Sequence, residues 1–211
     1  AAGNLDPARR QESTSRGFAA ATLAGRRTCY RRRVRNVCVY LSSSAGQPAH
    51  AEAVRALGRA LAARDLTLVY GGAHRGLMGV LADATLAAGG RVIGVIPQTL
   101  VEAEVAHRGL TELHIVDTMH QRKALMTERA DGFVVCPGGL GTLEEAFEQL
   151  TAIQLGYHHK PIVFLDVDGF WPPLAAFLDH AVVAGALRAE VRSLFRTASS
   201  AADALDALAV W

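Results

Sequence analysis

Cysteine is scarce in this chain. Three occur in 211 residues, Cys29, Cys38 and Cys136, and none has metal-ligand spacing. Cys38 and Cys136 lie inside apolar, strand-like runs, where a buried thiol is the ordinary reading. A reducing, cytoplasmic compartment fits this usage. Long apolar runs are also missing: none approaches the ~20 residues needed to cross a bilayer, which argues against a membrane span. Lysine is nearly absent, with Lys123 and Lys160 alone. A lysine Schiff base with pyridoxal phosphate has only these two to draw on, and neither sits in a convincing cofactor site. The chain has no H-E-x-x-H pair, so no metal is expected, and no G-x-S-x-G elbow, which argues against a serine triad. It lacks the G-x-G-x-x-G dinucleotide fingerprint and the G-K-[ST] ending of a triphosphatase loop. Hydride transfer and triphosphate hydrolysis both lose ground, and no cofactor is expected.

What is present is an ordinary globular composition, half hydrophobic and one fifth charged. The formal net charge of +2 hides an asymmetry. Residues 1–35 hold nine arginines against two acids, a surplus of seven, while the remainder holds thirteen basic and eighteen acidic residues. The leader reads as a basic, poorly ordered extension, with a targeting segment or a basic arm as alternatives. The body, mildly acidic, does not look like a nucleic-acid binder.

From residue 36 onward the chain reads as one α/β domain. Short runs rich in Val, Ile and Leu predict strands at Val37–Leu41, Leu66–Tyr70, Val92–Ile96, Leu113–Val116, Phe133–Cys136, Ile162–Leu165 and Leu194–Thr197. Between them lie helical stretches: His50–Ala63, Leu77–Ala88, Met119–Arg129, Leu143–Leu155, Pro172–Ala184 and Ala201–Leu208. This alternation predicts a Rossmann-like, doubly wound parallel sheet of about seven strands with helices on both faces. Right-handed crossovers then place a ligand crevice at the carboxyl ends of the strands. Four polar or glycine-rich loops collect there, Ser42–Gly46, Gly71–Gly79, Asp117–Lys123 and the loop that follows Cys136.

That last loop, Pro137-Gly138-Gly139-Leu140-Gly141-Thr142-Leu143-Glu144-Glu145, is the most informative stretch. A strand, then glycines, then a helix start makes an anion socket: the glycines admit close approach and the first helical amides point at the ligand. Glu145 has two readings. Thr142-x-x-Glu145 has capping-box spacing. A carboxylate beside a phosphate socket also suggests chemistry on another part of the ligand. Thr118-Met119-His120-Gln121 again has capping-box spacing, and Arg122 and Lys123 follow it. Basic residues there oppose the helix dipole and lose a few tenths of a kcal/mol unless an anion compensates. They read either as solvated charges or as ligand contacts, and the neighbouring phosphate-type loop favours contacts.

These residues resemble the LOG (Lonely Guy) family of cytokinin-activating phosphoribohydrolases, often labelled lysine decarboxylases. The hallmark P-G-G-x-G-T-x-x-E is met by Pro137, Gly138, Gly139, Gly141, Thr142 and Glu145, and M-H-x-R-K by Met119, His120, Arg122 and Lys123. Gly76–Gly79, Val95–Pro97, Glu104-x-x-His107, Gly109–Leu113 and Gln154–Gly156 are similar too. The resemblance runs from about Val37 to the C-terminus. It implies hydrolysis of the N-glycosidic bond of an adenosine 5′-monophosphate, typically N6-isoprenoid, to free base and ribose 5-phosphate. That activity is cytokinin activation or AMP nucleosidase activity. Arg122 and Glu145 are implied as catalytic. Glu104, Lys123, Thr151 and the loop Gly138, Gly139, Leu140, Gly141, Thr142, Leu143 and Glu144 are implied as nucleotide contacts. Met119, in the second hallmark, and Gly72 and Ser43, in two loops that would border the nucleotide, are expected substrate contacts as well. A homodimer with sites near the subunit interface is usual in the family. Two departures stand out: Leu41-Ser42-Ser43-Ser44 replaces a Cys-Gly-Ser-Ser, and Ala73 replaces a third glycine.

Cleavage of a nucleotide at this bond builds positive charge on the ribose. Glu145 would stabilise that charge or place the attacking water. Arg122 would stabilise the leaving base or hold ribose and phosphate with its planar fork. A non-catalytic nucleotide binder or carrier of the same fold is the alternative.

Overall fold

The computed structural model describes residues 34–103 and 105–211. Except for Val34 and Arg35, the basic extension expected over 1–35 lies outside the described residues, as do Cys29 and Glu104. The elements run β1 (Asn36–Tyr40), α1 (Pro48–Ala63), β2 (Thr67–Tyr70), α2 (Gly76–Ala87), β3 (Val92–Pro97), α3 (Gln98–Glu102), β4 (Glu112–Val116) and α4 (Met119–Arg129). They continue with β5 (Gly132–Val135), α5 (Leu140–Gln154), β6 (Ile162–Leu165), α6 (Pro172–Val183), α7 (Ala189–Arg192), β7 (Arg196–Ala198) and α8 (Ala201–Ala209).

The strands form one parallel sheet in the order β4-β3-β2-β1-β5-β6-β7, as the alternating pattern predicts. β1 is central, with Cys38 opposite Val69 on one side and Phe133 on the other. The chain winds outward from β1 to β4, then returns to place β5 on the free edge of β1. The order therefore reverses between β1 and β5, and the loops leaving these strands diverge to opposite faces. That divergence opens a crevice at their carboxyl ends.

Both sheet faces are covered, because successive side chains of β1 point to opposite sides. Val37 and Val39 enter a core with Leu57 and Leu61 of α1, Leu77 and Leu81 of α2, and Leu205 and Leu208 of α8. Cys38 and Tyr40 enter the other core with Met126 of α4, Ala146 and Leu150 of α5, and Leu178 of α6. No helix among the described residues is long and apolar enough to cross a membrane.

Three local expectations differ from the structure. Helix α5 begins at Leu140, not Leu143, with Gly139 as its N-cap in extended conformation. Thr142 thus stands at the third helical position, and the predicted Thr142–Glu145 capping box does not form. The glycines carry no side chain that would compete with the first turn, so the helix starts as soon as the loop clears the sheet. β7 begins at Arg196 because Phe195 turns into the core against Phe164, with ring centroids 4.6 Å apart. The short helices α3 and α7 span too few residues for a 3.6-residue period to show in the sequence.

Candidate active site

The crevice is built from backbone first. The Leu77 amide donates to the Ser44 carbonyl (3.1 Å), which ties the loop after β1 to the start of α2. The His107 amide donates to the Gly72 carbonyl (2.9 Å), which folds the segment after α3 over the loop after β2. On the far side, Thr118 caps α4. Its hydroxyl accepts from the Gln121 amide (3.1 Å), while Gln121 Oε1 accepts from the amides of Asp117 (2.8 Å) and Thr118 (3.2 Å). This capping box forms as predicted and aims the first turns of α4 at the crevice.

Arg122 projects from α4 and Glu145 from α5, and they meet with Arg122 Nη2 3.6 Å from Glu145 Oε1. Both side chains are nearly enclosed, at 11% and 12% exposure. Arg122 Nη1 lies 3.2 Å from Met119 Sδ, and its buried Nε has no hydrogen-bond partner. The guanidinium reaches this position across Gly71. A Cβ built there would fall 1.7 Å from Arg122 Nη2 and 2.5 Å from Met78 Cε, so only glycine leaves the room. Burial pushes the Glu145 carboxyl up to about 7, against the opposing pull of the Arg122 guanidinium. The pair therefore holds a carboxyl that titrates near neutrality beside a fixed cation with an unused donor.

Above the pair lies the N-terminus of α5. With glycine at the N-cap, no side chain caps the first turn, and the leading amides of the helix have no intrahelical acceptor. A Cβ at Gly139 or Gly141 would meet nothing within 4 Å, so the approach is open. Gly138 is the opposite case: its Cβ would fall 2.1 Å from Thr142 Oγ1, and the buried Thr142 side chain packs into that space. Such a terminus suits an anion.

The other expected residues divide. Lys123 reaches α5 and pairs with Glu144 and with Glu148 (3.3 Å), and the hydrogen bond to Glu144 raises its pKa. Met119 and Leu140 are exposed at the crevice mouth, and so is Ser43. Leu143 packs against the core, not the crevice. Gly72 is buried with its Cα facing Gly94, so Gly71 is the glycine of the doublet that touches the pair. Thr151 lies one helical face away, in a groove of about 650 Å³ between α4 and α5 that also takes in His120, Lys123, Glu148 and Leu155. Tyr40 and Cys38, which composition marked only as core, stand within electrostatic reach of Glu145, and burial raises the pKa of both. Burial also lifts Cys136 to about 12, so it is an inert thiol. Among the described residues no cluster of three or more His, Cys, Asp or Glu is placed to hold a metal.

A family model described as "possible lysine decarboxylase" matches residues 78–208. A cytokinin riboside 5′-monophosphate phosphoribohydrolase from Rhodococcoides fascians is 47% identical over 161 residues, covering 75% of this chain and 81% of the relative. The rice protein LOG, with the same activity in its name, is 43% identical, covering 82% and 72%. This chain belongs to the LOG family. A molybdenum cofactor binding protein from Rippkaea orientalis shares the fold at a TM-score of 0.63, with 20% identity and coverage of 83% and 95%. The two hallmark segments of the LOG family are the two helix starts described above, and the structure brings them together. The decarboxylase description finds no support in the chain's lysines. Lys123 is locked as a cation between two carboxylates, and Lys160 Nζ donates to the Thr127 carbonyl (2.6 Å).

Proposed function

We propose that this protein hydrolyses the N-glycosidic bond of adenosine 5′-monophosphate, with or without an N6 substituent, to free base and ribose 5-phosphate. The observation that carries the reading is the Arg122–Glu145 pair, enclosed beneath an uncapped, glycine-opened helix start in a LOG-family chain. The 5′-phosphate sits on the amides of Gly139, Gly141 and Thr142, and its binding energy orients the ribose over Glu145. As the bond breaks, the ribose becomes cationic, and the ionised Glu145 stabilises it and places the water that attacks the anomeric carbon. Glu145 takes a proton from that water as its oxygen bonds the anomeric carbon. The electron pair of the breaking bond goes to the purine, whose developing negative charge the Arg122 guanidinium offsets and whose ring nitrogen then takes up a proton from solvent to give the neutral free base.

A base-release assay by chromatography over AMP, isopentenyl-AMP, GMP and CMP tests this. Adenine-type bases are expected and pyrimidine is not. Thermal stabilisation by AMP with no free base from any substrate supports the carrier reading instead.

The same proposal includes a homodimer. Leu155 and Tyr157 are 58% and 79% exposed beside the groove between α4 and α5, an apolar edge suited to a second copy.

A further inference from the structure

We propose that the hydrogen bond between Gln149 and Thr127 is a positioning device. It clamps α5 to α4 just beyond the catalytic pair and so sets the approach of Glu145 to Arg122. The inference rests on the hydrolase reading above.

Gln149 is only 2% exposed, and Thr85, Thr142 and Gln149 are the buried polar residues among those described. It lies four residues after Glu145, on the same face of α5 and one turn further from the crevice. Thr127 lies five residues after Arg122 on α4. Gln149 Nε2 donates to Thr127 Oγ1 at 3.0 Å, so the two helices that carry the pair are joined directly behind it. The other end of the amide is also held. His158 Nδ1 accepts from the Lys160 amide (3.2 Å), which leaves its Nε2 to carry the proton and donate to Gln149 Oε1 (3.1 Å). Lys160 Nζ bonds the Thr127 carbonyl, so Thr127 is fixed by side chain and backbone together. The Thr127 hydroxyl also meets the Tyr40 phenol, which stands near Glu145.

An apolar pair would fill this space without burying an amide, and replacing both partners of such a bond is often nearly neutral for stability. What apolar contact lacks is direction. Helices packed by apolar side chains alone lose uniqueness of register before they lose stability, while a hydrogen bond saturated at both ends fixes one register. A shift of 1 Å between catalytic groups costs on the order of a hundredfold in rate, so register is worth fixing here.

Gln149→Leu and Thr127→Val each remove the clamp, and Thr127→Ser keeps it. With AMP as substrate, the first two are expected to melt cooperatively and lose about tenfold in kcat with KM within about twofold. Thr127→Ser is expected to retain the parental kcat. A second readout is the acid limb of the pH profile. The groups facing Glu145 are Arg122 and Lys123 from α4, Glu144 and Glu148 from its own helix, and Cys38 and Tyr40 from β1. Arg122 is the strongest of those that hold the carboxyl down, so its retreat moves the limb to higher pH in the clampless variants. Folded variants that turn over at the parental kcat overturn the inference. So does a Thr127→Ser variant as slow as Thr127→Val, or a loss of kcat that comes only with loss of cooperative melting. A parent chain that releases no base overturns the hydrolase reading and this inference with it. A working parent beside equally fast variants overturns this inference alone.

Discussion

At the scale of single residues, Glu145 holds the most consequence. Glu145→Gln and Arg122→Ala are each expected to reduce turnover about a hundredfold or more, the range seen when one electrostatic or acid–base group is removed. Base release from AMP by the two folded variants checks this, and parental rates would refute the assignment. The raised carboxyl has a signed consequence for pH. In the mechanism proposed above the ionised form does the work, so kcat/KM should climb about tenfold per unit below a pH of about 7 and level off above it. Stability runs the other way. The folded value of about 7 exceeds the ordinary 4.5, so the folded protein holds a proton that the unfolded chain has lost. The stability contributed by this carboxyl therefore falls as pH rises from 4.5 to 7 and stays low beyond. Glu145→Gln should stabilise the protein by up to about 3 kcal/mol at pH 8 and by almost nothing at pH 4, as denaturant melts at the two pH values would show. Gly71→Ala makes a separate prediction. Its methyl would occupy the place of Arg122 Nη2, so kcat should fall tenfold to a hundredfold in a protein that still folds. An unchanged kcat would mean that the guanidinium does not work from that position.

Elements explain which of these residues the sequence could reveal. Helix α4 was legible to the residue, because Thr118 and Gln121 form the capping box that their spacing announces. Helix α5 was not, because Thr142 and Glu145 have the same spacing and a glycine loop ahead of them. Whether a threonine caps a helix depends on where the preceding backbone turns, and here it turns at Gly139. The early start frees Glu145 from the Thr142 amide and turns it toward Arg122. Gly138→Ala tests this element. A methyl against Thr142 Oγ1 must displace the first turn, which should raise KM for AMP about tenfold while the free nucleoside, which lacks the phosphate, is little affected. Steady-state kinetics on AMP and adenosine would separate the two effects. The Gln149–Thr127 clamp gave no sequence signal, since neither residue belongs to a motif and their separation of 22 positions has no local period.

For the whole molecule, the assembly is the open prediction. Light scattering should report a dimer, and Leu155→Glu or Tyr157→Glu, each placing a charge on the apolar edge, should yield monomers. A parent that runs as a monomer at micromolar concentration would refute it. The parallel sheet was legible because strands buried on both faces must be short and apolar, and helices must separate them. Its order was not, since nothing local in the chain says that β5 returns to the free edge of β1. By itself, the sequence determined the alternation of strands and helices, the glycine-rich loop and the two hallmark segments, because each is written in neighbouring residues. Only the tertiary structure decided that Arg122 passes over Gly71 to reach Glu145, and that burial there brings the carboxyl near neutrality. Those facts depend on distances between residues far apart in the chain, which the sheet order sets and local spacing does not encode.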